Sequence, residues 1–175
     1  EHCKPQSPDC IMKSMQIKVC TRSSKETERV GEMLAMCLST PTKIALVGDL
    51  GTGKTTFTRG LARGFGIKKI RSPSFTLINI YRGEKNLYHV DLYRLNSAED
   101  IYSLGLQDAL LDPDGIVAVE WAEKGGDLIG DADVIHVRFE HSGENKRTIY
   151  CSSTGDIGER ALRCRAEKLG LTSSS

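Results

Sequence analysis

The chain has 175 residues, of which 39% are hydrophobic and 27% charged, and its formal net charge is +1. This length and composition indicate a single globular domain with one core, and no apolar run approaches the roughly 18 residues that span a bilayer. The near-zero charge gives no support for a strongly basic nucleic-acid-binding protein, but it leaves room for a local basic patch.

The two ends of the chain are predicted to lie outside the folded domain. Residues 1–14 hold two prolines and little hydrophobic periodicity, which indicates a disordered lead-in, and residues 171–175 read as a loose tail. Met12 or Met15 is then a candidate natural start. The alternative is the remnant of an organelle-targeting segment, although the Arg-rich, acid-poor character of such segments is missing. A single domain over 15–170 is therefore expected.

A capping box marks the first predicted helix. Ser23, with Glu26 three residues later, has the spacing that satisfies free N–H groups at a helix start, and apolar residues then follow at helical spacing to about residue 38. The other elements predicted in this half are a strand over 16–20, a strand over 44–47 and a helix over 55–64.

The second half alternates β-prone runs with turns. Two such runs, 78–81 and 87–92, flank a turn rich in Gly and Asn, which predicts a hairpin. The remaining predictions are partial helix over 97–111, a buried strand over 116–119, an antiparallel pair over 133–140 and 147–152, and a final helix over 156–169. The order β-α-β-α-β-β-α-β-β-β-α predicts an α/β sandwich with a mixed central sheet and flanking helices.

The stretch Gly48-Asp-Leu-Gly-Thr-Gly-Lys-Thr55 lies between the strand 44–47 and the helix 55–64. It matches the G-x-x-x-x-G-K-[ST] template of P-loop NTPases, in which backbone N–H groups converge on a phosphate at the positive end of a helix. The fold class is therefore a P-loop NTPase sandwich. The predicted nucleotide-binding residues are Asp49, Leu50, Gly51, Thr52, Gly53, Lys54, Thr55 and Thr56.

A magnesium nucleotide site needs a second anchor besides the Thr55 hydroxyl, and P-loop enzymes take it from an acid at the end of a neighbouring buried strand. Glu120 follows the apolar run 116–119 and fits this description. Asp91 ends a similar run and is a second candidate. A solvated strand end is the ordinary alternative for either acid.

Three further features bear on the nucleotide. The stretch 72–77 follows the P-loop helix, where nucleotide switches place a hydroxyl that senses the terminal phosphate. Trp121 follows Glu120 directly and is expected near the carboxyl edge of the sheet, with core packing as its alternative. The sequence holds no Asn-Lys-x-Asp element for guanine, so ATP is preferred over GTP.

Six cysteines stand at positions 3, 10, 20, 37, 151 and 164, without any C-x-x-C pair. This spacing favours neither a zinc site nor a disulfide framework. Free thiols in a reducing compartment, and hence a cytoplasmic protein, are expected.

Four motifs together resemble the TsaE (YjeE) family of ATPases in tRNA threonylcarbamoyladenosine biosynthesis. They are the P-loop, Ser72-Pro-Ser-Phe-Thr-Leu77, His89-Val-Asp-Leu-Tyr-Arg94 and Val119-Glu-Trp121. The resemblance implies a small ATPase that uses ATP and Mg²⁺ and works with a TsaB–TsaD complex, in which TsaD transfers the threonylcarbamoyl group. It implies that tRNA is met indirectly or through that complex. The modified base is the adenosine beside the anticodon in tRNAs that read codons beginning with A.

The same resemblance implies roles for six residues: Lys54 and Thr55 bind phosphate and magnesium, Glu120 anchors the metal, Asp91 acts near the metal or the water, Thr76 senses the terminal phosphate, and Trp121 serves activity or partner contact. The sequence departs from the family pattern at Phe75, where Tyr is common, and at Ala122, where Pro is usual.

Two other functions use the same P-loop. A small-molecule kinase needs an acceptor pocket and usually an arginine-bearing lid; Arg82 and Arg94 are available, but no helical lid insertion is evident. A nucleotide-gated binding module needs no useful rate of hydrolysis. One assay distinguishes the three functions. Phosphate release without an acceptor favours an ATPase, transfer to a small metabolite favours a kinase, and binding without turnover favours a binding module.

Overall fold

The computed structural model of the chain describes residues 15–73, 77–97, 99–100 and 105–168. The expected lead-in 1–14 and tail 171–175 lie outside these ranges. The elements, in chain order, are β1 Gln16–Thr21, α1 Ser24–Ala35, β2 Thr42–Val47, α2 Lys54–Gly64, β3 Ile78–Tyr81, β4 Asn86–Asp91, α3 Leu106–Leu111, β5 Gly115–Glu120, a 3-10 helix Ala122–Leu128, β6 Val134–Gly143, β7 Lys146–Ser153 and α4 Asp156–Lys168.

Seven strands form one mixed sheet in the order β1-β7-β6-β2-β5-β4-β3. The four neighbours β4, β5, β2 and β6 run parallel. Strand β3 pairs antiparallel with β4, and β7 pairs antiparallel with both β6 and β1. The element order and the mixed sheet confirm the predicted α/β sandwich, including both hairpins.

Apolar side chains fill both faces of the sheet. On one face, α1, α2 and α4 contribute to a core that includes Phe57 and Leu162; on the other, α3 and the 3-10 helix cover a smaller core around Val90. Burying a large apolar side chain such as Phe57 contributes about 1.5–3 kcal/mol to folding. Strand β5 is buried along its whole length, because alternate residues face the two cores. That position explains its continuous apolar run.

Two glycines allow α1 and α2 to pack closely. A Cβ on Gly31 would lie 2.1 Å from the carbonyl oxygen of Phe57, and one on Gly60 would lie 1.8 Å from that of Glu28. Both distances are far inside van der Waals contact, so neither position accepts a larger residue without moving a helix. The close packing fixes α2, and with it the helix start that follows the P-loop.

The capping box at α1 is confirmed with one difference. The Glu26 N–H donates to Ser23 Oγ at 3.1 Å, whereas the Glu26 carboxylate accepts from the Arg22 N–H at 2.7 Å, one residue before the cap. The regular helix ends at Ala35, earlier than the predicted residue 38, although turns continue to Leu38 through N–H bonds to carbonyls three residues back.

The prediction that the cysteines are free thiols is wrong for two of them. Cys37 and Cys164 form a disulfide, with their Cα atoms 5.8 Å apart. They are separated by 127 residues in sequence and meet because α1 and α4 pack on the same face of the sheet. Cys20 and Cys151 are free. Cys3 and Cys10 lie outside the described residues.

None of the helices in the described part of the chain combines the length and the apolar character needed to cross a bilayer.

Candidate functional site

The loop between β2 and α2 adopts backbone angles that favour glycine. Gly48, Gly51 and Gly53 have φ values of 150°, 76° and 105°. A Cβ on Gly48 would also lie 2.7 Å from the carbonyl oxygen of Phe139. Residues with a Cβ rarely adopt these angles, so the glycine spacing of the motif is what lets the loop turn into the start of α2. The predicted strand–loop–helix context of the P-loop is confirmed.

Lys54 lies across the loop. Its Nζ donates to the carbonyl oxygens of Gly48 at 2.5 Å and Asp49 at 2.8 Å, and lies 4.3 Å from the ring centroid of Trp121. Burial lowers the pKa of Lys54, while the nearby carboxylates, led by Glu120, oppose that shift. The ammonium group is therefore held in a partly desolvated position, where its interaction with an anion is stronger than in bulk water.

Two other loop residues shape the loop itself. The Thr52 hydroxyl donates to the Asp49 carbonyl at 2.7 Å, and Thr52 is buried. Leu50, at the tip, is 70% exposed. Asp49 and Thr52 thus contribute through backbone geometry and internal hydrogen bonds, whereas Leu50 forms part of the outer rim.

Thr55 and Glu120 are brought together as the sequence predicted for a metal-binding pair. The Thr55 Oγ1 donates towards both carboxylate oxygens of Glu120, at 2.8 and 3.0 Å. Glu120 is the last residue of β5, next to β2 in the sheet, and is only 3% exposed. Its carboxylate is also bonded to the buried His89, with 2.7 Å between His89 Nε2 and Glu120 Oε1.

Asp91 lies beside Glu120, because β4 and β5 are parallel and these two residues are paired in register. Its Oδ1 accepts from the Tyr93 N–H at 2.9 Å. Burial raises the pKa of Asp91, and the charge of Glu120 adds to the rise, while the Tyr93 hydrogen bond opposes it. The two acids that the sequence singled out therefore end adjacent strands at the same sheet edge.

Trp121 lines the cleft at the end of β5. It has a left-handed φ of 56°, immediately after β5. Its ring packs on Tyr93, with 4.9 Å between centroids, and Lys124 Nζ lies 5.9 Å from the centroid of Trp121. The expected position at the carboxyl edge is confirmed, and the indole contacts Lys54 instead of lying wholly in the core.

These residues surround one cleft of about 370 Å³. Predicted residues that line it are Leu50, Gly51, Gly53, Lys54, Thr55, Thr56, Asp91, Glu120 and Trp121. Ser72, Pro73 and Leu77 extend the lining on the side of the expected phosphate sensor. Thr76 itself lies outside the described residues, so its role stays a prediction.

The sequence reasoning missed three residues of the cleft and its support. His89 and Tyr93 stand within a motif that was recognised, but only Asp91 was given a role there. Arg147 lines the cleft from β7. No local pattern marks Arg147, because only the pairing of β7 with β6 brings it to the P-loop.

Comparisons with known proteins agree on one family. A family model described as "Threonylcarbamoyl adenosine biosynthesis protein TsaE" matches residues 21–149. The tRNA threonylcarbamoyladenosine biosynthesis protein TsaE of Treponema pallidum is 41% identical over 105 residues, which are 59% of this chain and 77% of the relative. The protein of the same name from Bacillus subtilis is 34% identical over 143 residues, 81% of this chain and 88% of the relative.

A solved structure has the same fold. The crystal structure of Bacillus subtilis YdiB superposes with a TM-score of 0.74 and 29% sequence identity, and the match covers 89% of this chain and 97% of YdiB.

Proposed function

Because the chain belongs to the TsaE family of tRNA threonylcarbamoyladenosine biosynthesis proteins, we propose that it binds and hydrolyses ATP as a subunit required for this tRNA modification. It acts with a TsaB–TsaD complex on the adenosine next to the anticodon of tRNAs that read codons beginning with A, and contacts tRNA through that complex. The observation that carries the proposal is the Thr55 hydroxyl bonded to both oxygens of Glu120 beside a P-loop lysine. The proposal places the protein in the cytoplasm because its family acts in tRNA modification; free thiols give no support for this location at Cys37 and Cys164, which form a disulfide.

The P-loop supports binding of a nucleoside triphosphate. The N–H groups at the start of α2 lie at the positive end of an 11-residue helix. Lys54 adds a charge-assisted hydrogen bond, which is roughly twice as strong as a neutral one. In the proposal, Lys54 exchanges its carbonyl partners on Gly48 and Asp49 for phosphate oxygens.

The donor set of Thr55 and Glu120 fits Mg²⁺. Both supply hard oxygen ligands, and Mg²⁺ usually takes only one or two protein ligands, with waters and substrate phosphates completing its shell. When bound, the ion would neutralise charge on the terminal phosphates.

The chain's own residues then position the reaction. Glu120 is held in place by His89 and Thr55, and Lys54 neutralises charge on the transferring phosphate. In the proposal, Asp91, which lines the cleft beside Glu120, acts near the metal or orients the attacking water. Arg94 and Arg147 line the same cleft as Glu120, but P-loop enzymes often take the last charged group that stabilises the transferring phosphate from a partner, and the proposal assigns that group to the TsaB–TsaD complex. Slow hydrolysis by the isolated chain follows.

A partner can sense the nucleotide through the rim of the cleft. Trp121 contacts both Lys54 and Tyr93, and Tyr93 is 46% exposed. A change in Lys54 on nucleotide binding is thus transmitted to an accessible aromatic surface. The proposal assigns the same role to Thr76 in the phosphate-sensing stretch, and uses ATP to reset the TsaB–TsaD complex between rounds.

Phosphate release from ATP, measured with and without the TsaB–TsaD complex, tests the proposal. We expect slow, Mg²⁺-dependent release that rises when the complex is added, no tight ATP binding by Lys54→Ala, and no stimulation of Trp121→Ala or Thr76→Ala although both still bind ATP. Fast turnover that does not change when the complex is added would contradict the proposed coupling between ATP hydrolysis and the TsaB–TsaD complex. Transfer of phosphate to a metabolite would support a kinase, and binding without turnover a nucleotide-gated module.

A further inference from the structure

Arg147 reaches the P-loop from β7, which lies two strands away from β2 in the sheet. It is the second residue of β7, which begins where β6 ends, at the same edge as the P-loop. The pairs Phe139–Ile149 and His141–Arg147 place Arg147 on the same face as Phe139, whose ring contacts Phe57 of α2. Its side chain therefore extends over the start of α2.

The contact with the loop is close. A Cβ built on Gly53, the N-cap of α2, would lie 3.2 Å from Arg147 Nε and 3.3 Å from its Cδ. The same Cβ would lie 3.3 Å from the methyl group of Thr27 on α1. The guanidinium group is thus packed against the P-loop backbone at the position where the loop becomes a helix.

Arg147 has no anionic partner within the described part of the chain. Its Nε is buried and makes no hydrogen bond there, and none of the ion pairs found there involves it. The acids of the cleft are engaged elsewhere, since Glu120 is bonded to Thr55 and His89. A buried donor without an acceptor costs free energy, and an anion in the cleft would remove that cost.

The sheet order determines which part of a nucleotide lies here. Strand β2 has β5 on one side, carrying Glu120, and β6 followed by β7 on the other. A magnesium ion held by Thr55 and Glu120 would draw the terminal phosphates towards β5. The phosphate chain then leads away from β5, across the start of α2, towards Arg147.

We propose that Arg147 binds the nucleoside-side phosphate of the nucleotide, through Nε and a terminal guanidinium nitrogen. This inference rests on the proposed ATP site and adds the residue that distinguishes a nucleotide from a bare terminal phosphate pair. The planar guanidinium offers two parallel donors to one phosphate, a geometry that lysine lacks.

Competition with a fluorescent ADP analogue, measured on the full chain, tests this assignment. Arg147→Ala should weaken ADP and ATP binding roughly ten- to hundredfold, the effect of losing a hydrogen bond to a charged group. Pyrophosphate, which occupies the loop without a nucleoside-side phosphate, should compete against wild type and variant with equal affinity. Arg147→Lys should keep part of the charge effect and still bind ADP more weakly than wild type.

Arg138→Ala is the matched control. Arg138 lies on β6, is exposed, and packs 4.2 Å from the ring centroid of Tyr150 on the face away from α2. The variant removes the same charge from the same hairpin and should bind ADP like wild type. Unchanged ADP affinity in Arg147→Ala, or an equal loss for pyrophosphate, would overturn the assignment. If the alanine variant does not fold, the same comparison of ADP with pyrophosphate affinity in Arg147→Lys tests the assignment. Absence of ADP and ATP binding by the wild type would instead refute the proposed function.

Discussion

His89 Nε2 and Glu120 Oε1 are 2.7 Å apart across the neighbouring strands β4 and β5, and both side chains are almost completely buried. Because a carboxylate only accepts, the imidazole donates in this bond. The same carboxylate also accepts the Thr55 hydroxyl, at both of its oxygens. Glu120 is therefore held from two sides, and His89 acts on the proposed metal site as a positioning residue.

Replacing His89 by phenylalanine should lower both the affinity for magnesium and the stability of the fold. Loss of the donor leaves a buried carboxylate with one partner fewer, which should cost about 1–3 kcal/mol of unfolding free energy. Loss of orientation should weaken metal affinity roughly ten- to hundredfold, as is typical of residues that orient a ligand. Denaturant unfolding and magnesium titrations of turnover measure the two effects, and calorimetry with magnesium-free ADP should show little change.

Tyr88→Phe provides the control for this variant. Tyr88 is the preceding residue of β4 and donates to Asp112 Oδ2 at 2.6 Å on the opposite face of the sheet. Its loss also removes one hydrogen bond to a carboxylate, but far from the cleft. Equal shifts of the magnesium dependence in both variants would show that His89 acts only through general stability.

Glu120→Gln and Thr55→Ala should lower magnesium-dependent turnover by at least about tenfold while magnesium-free nucleotide still binds, because both residues are assigned to the metal. Thr58→Ala is the matched control: it also removes a hydroxyl from α2, where Thr58 Oγ1 donates to the Lys54 carbonyl at 3.0 Å. Steady-state phosphate release and calorimetry make the comparison. Wild-type turnover by Glu120→Gln would move the metal anchor to Asp91.

Asp91→Asn should make the protein more stable at neutral pH. Burial and the charge of Glu120 raise the folded-state pKa of Asp91 above its ordinary value of 3.8. The folded protein therefore favours the protonated acid, and stability from this group is complete below about pH 3.8 and is lost as the pH rises through the raised pKa. Asparagine removes that loss and keeps an acceptor for the Tyr93 N–H.

Asp112→Asn should behave in the opposite way and serves as the comparison. Its hydrogen bonds, first of all from Tyr88, lower the pKa of Asp112, so its stabilisation is present above pH 3.8 and is lost as the pH falls through the lowered pKa. Melting temperatures across pH 3 to 8 should therefore show Asp91→Asn above wild type and Asp112→Asn below it at neutral pH. Both differences should shrink in acid; a lower melting temperature for Asp91→Asn at pH 7 would contradict the sign.

Cys164→Ser should destabilise the protein by about 2–4 kcal/mol under oxidising conditions, because the disulfide to Cys37 constrains a long stretch of the unfolded chain. Dithiothreitol should lower the melting temperature of wild type towards that of the variant and leave the variant unchanged. Cys20→Ser, which removes a free cysteine, should melt like wild type. Titration of six free thiols in protein kept without reductant would show that the bond does not form.

The sequence by itself determined the order of elements and the position of the nucleotide loop. Hydrophobic periodicity and turn residues are local signals, and the P-loop depends on the backbone freedom of glycines that stand within six residues of one another. The continuous apolar run of β5 likewise indicated a strand covered on both faces. The positions of Glu120 and Asp91 at the edge of the sheet could be predicted because each residue ends such a strand.

Tertiary structure alone decided the contacts between distant segments. The bond of Cys37 to Cys164 depends on α1 and α4 sharing one face of the sheet, and Arg147 reaches Gly53 only because β7 pairs with β6 at the edge that carries the P-loop. The bond of His89 to Glu120 depends on the register between β4 and β5. Strand order and register arise from how the whole core packs, so no local pattern in a single sequence encodes them.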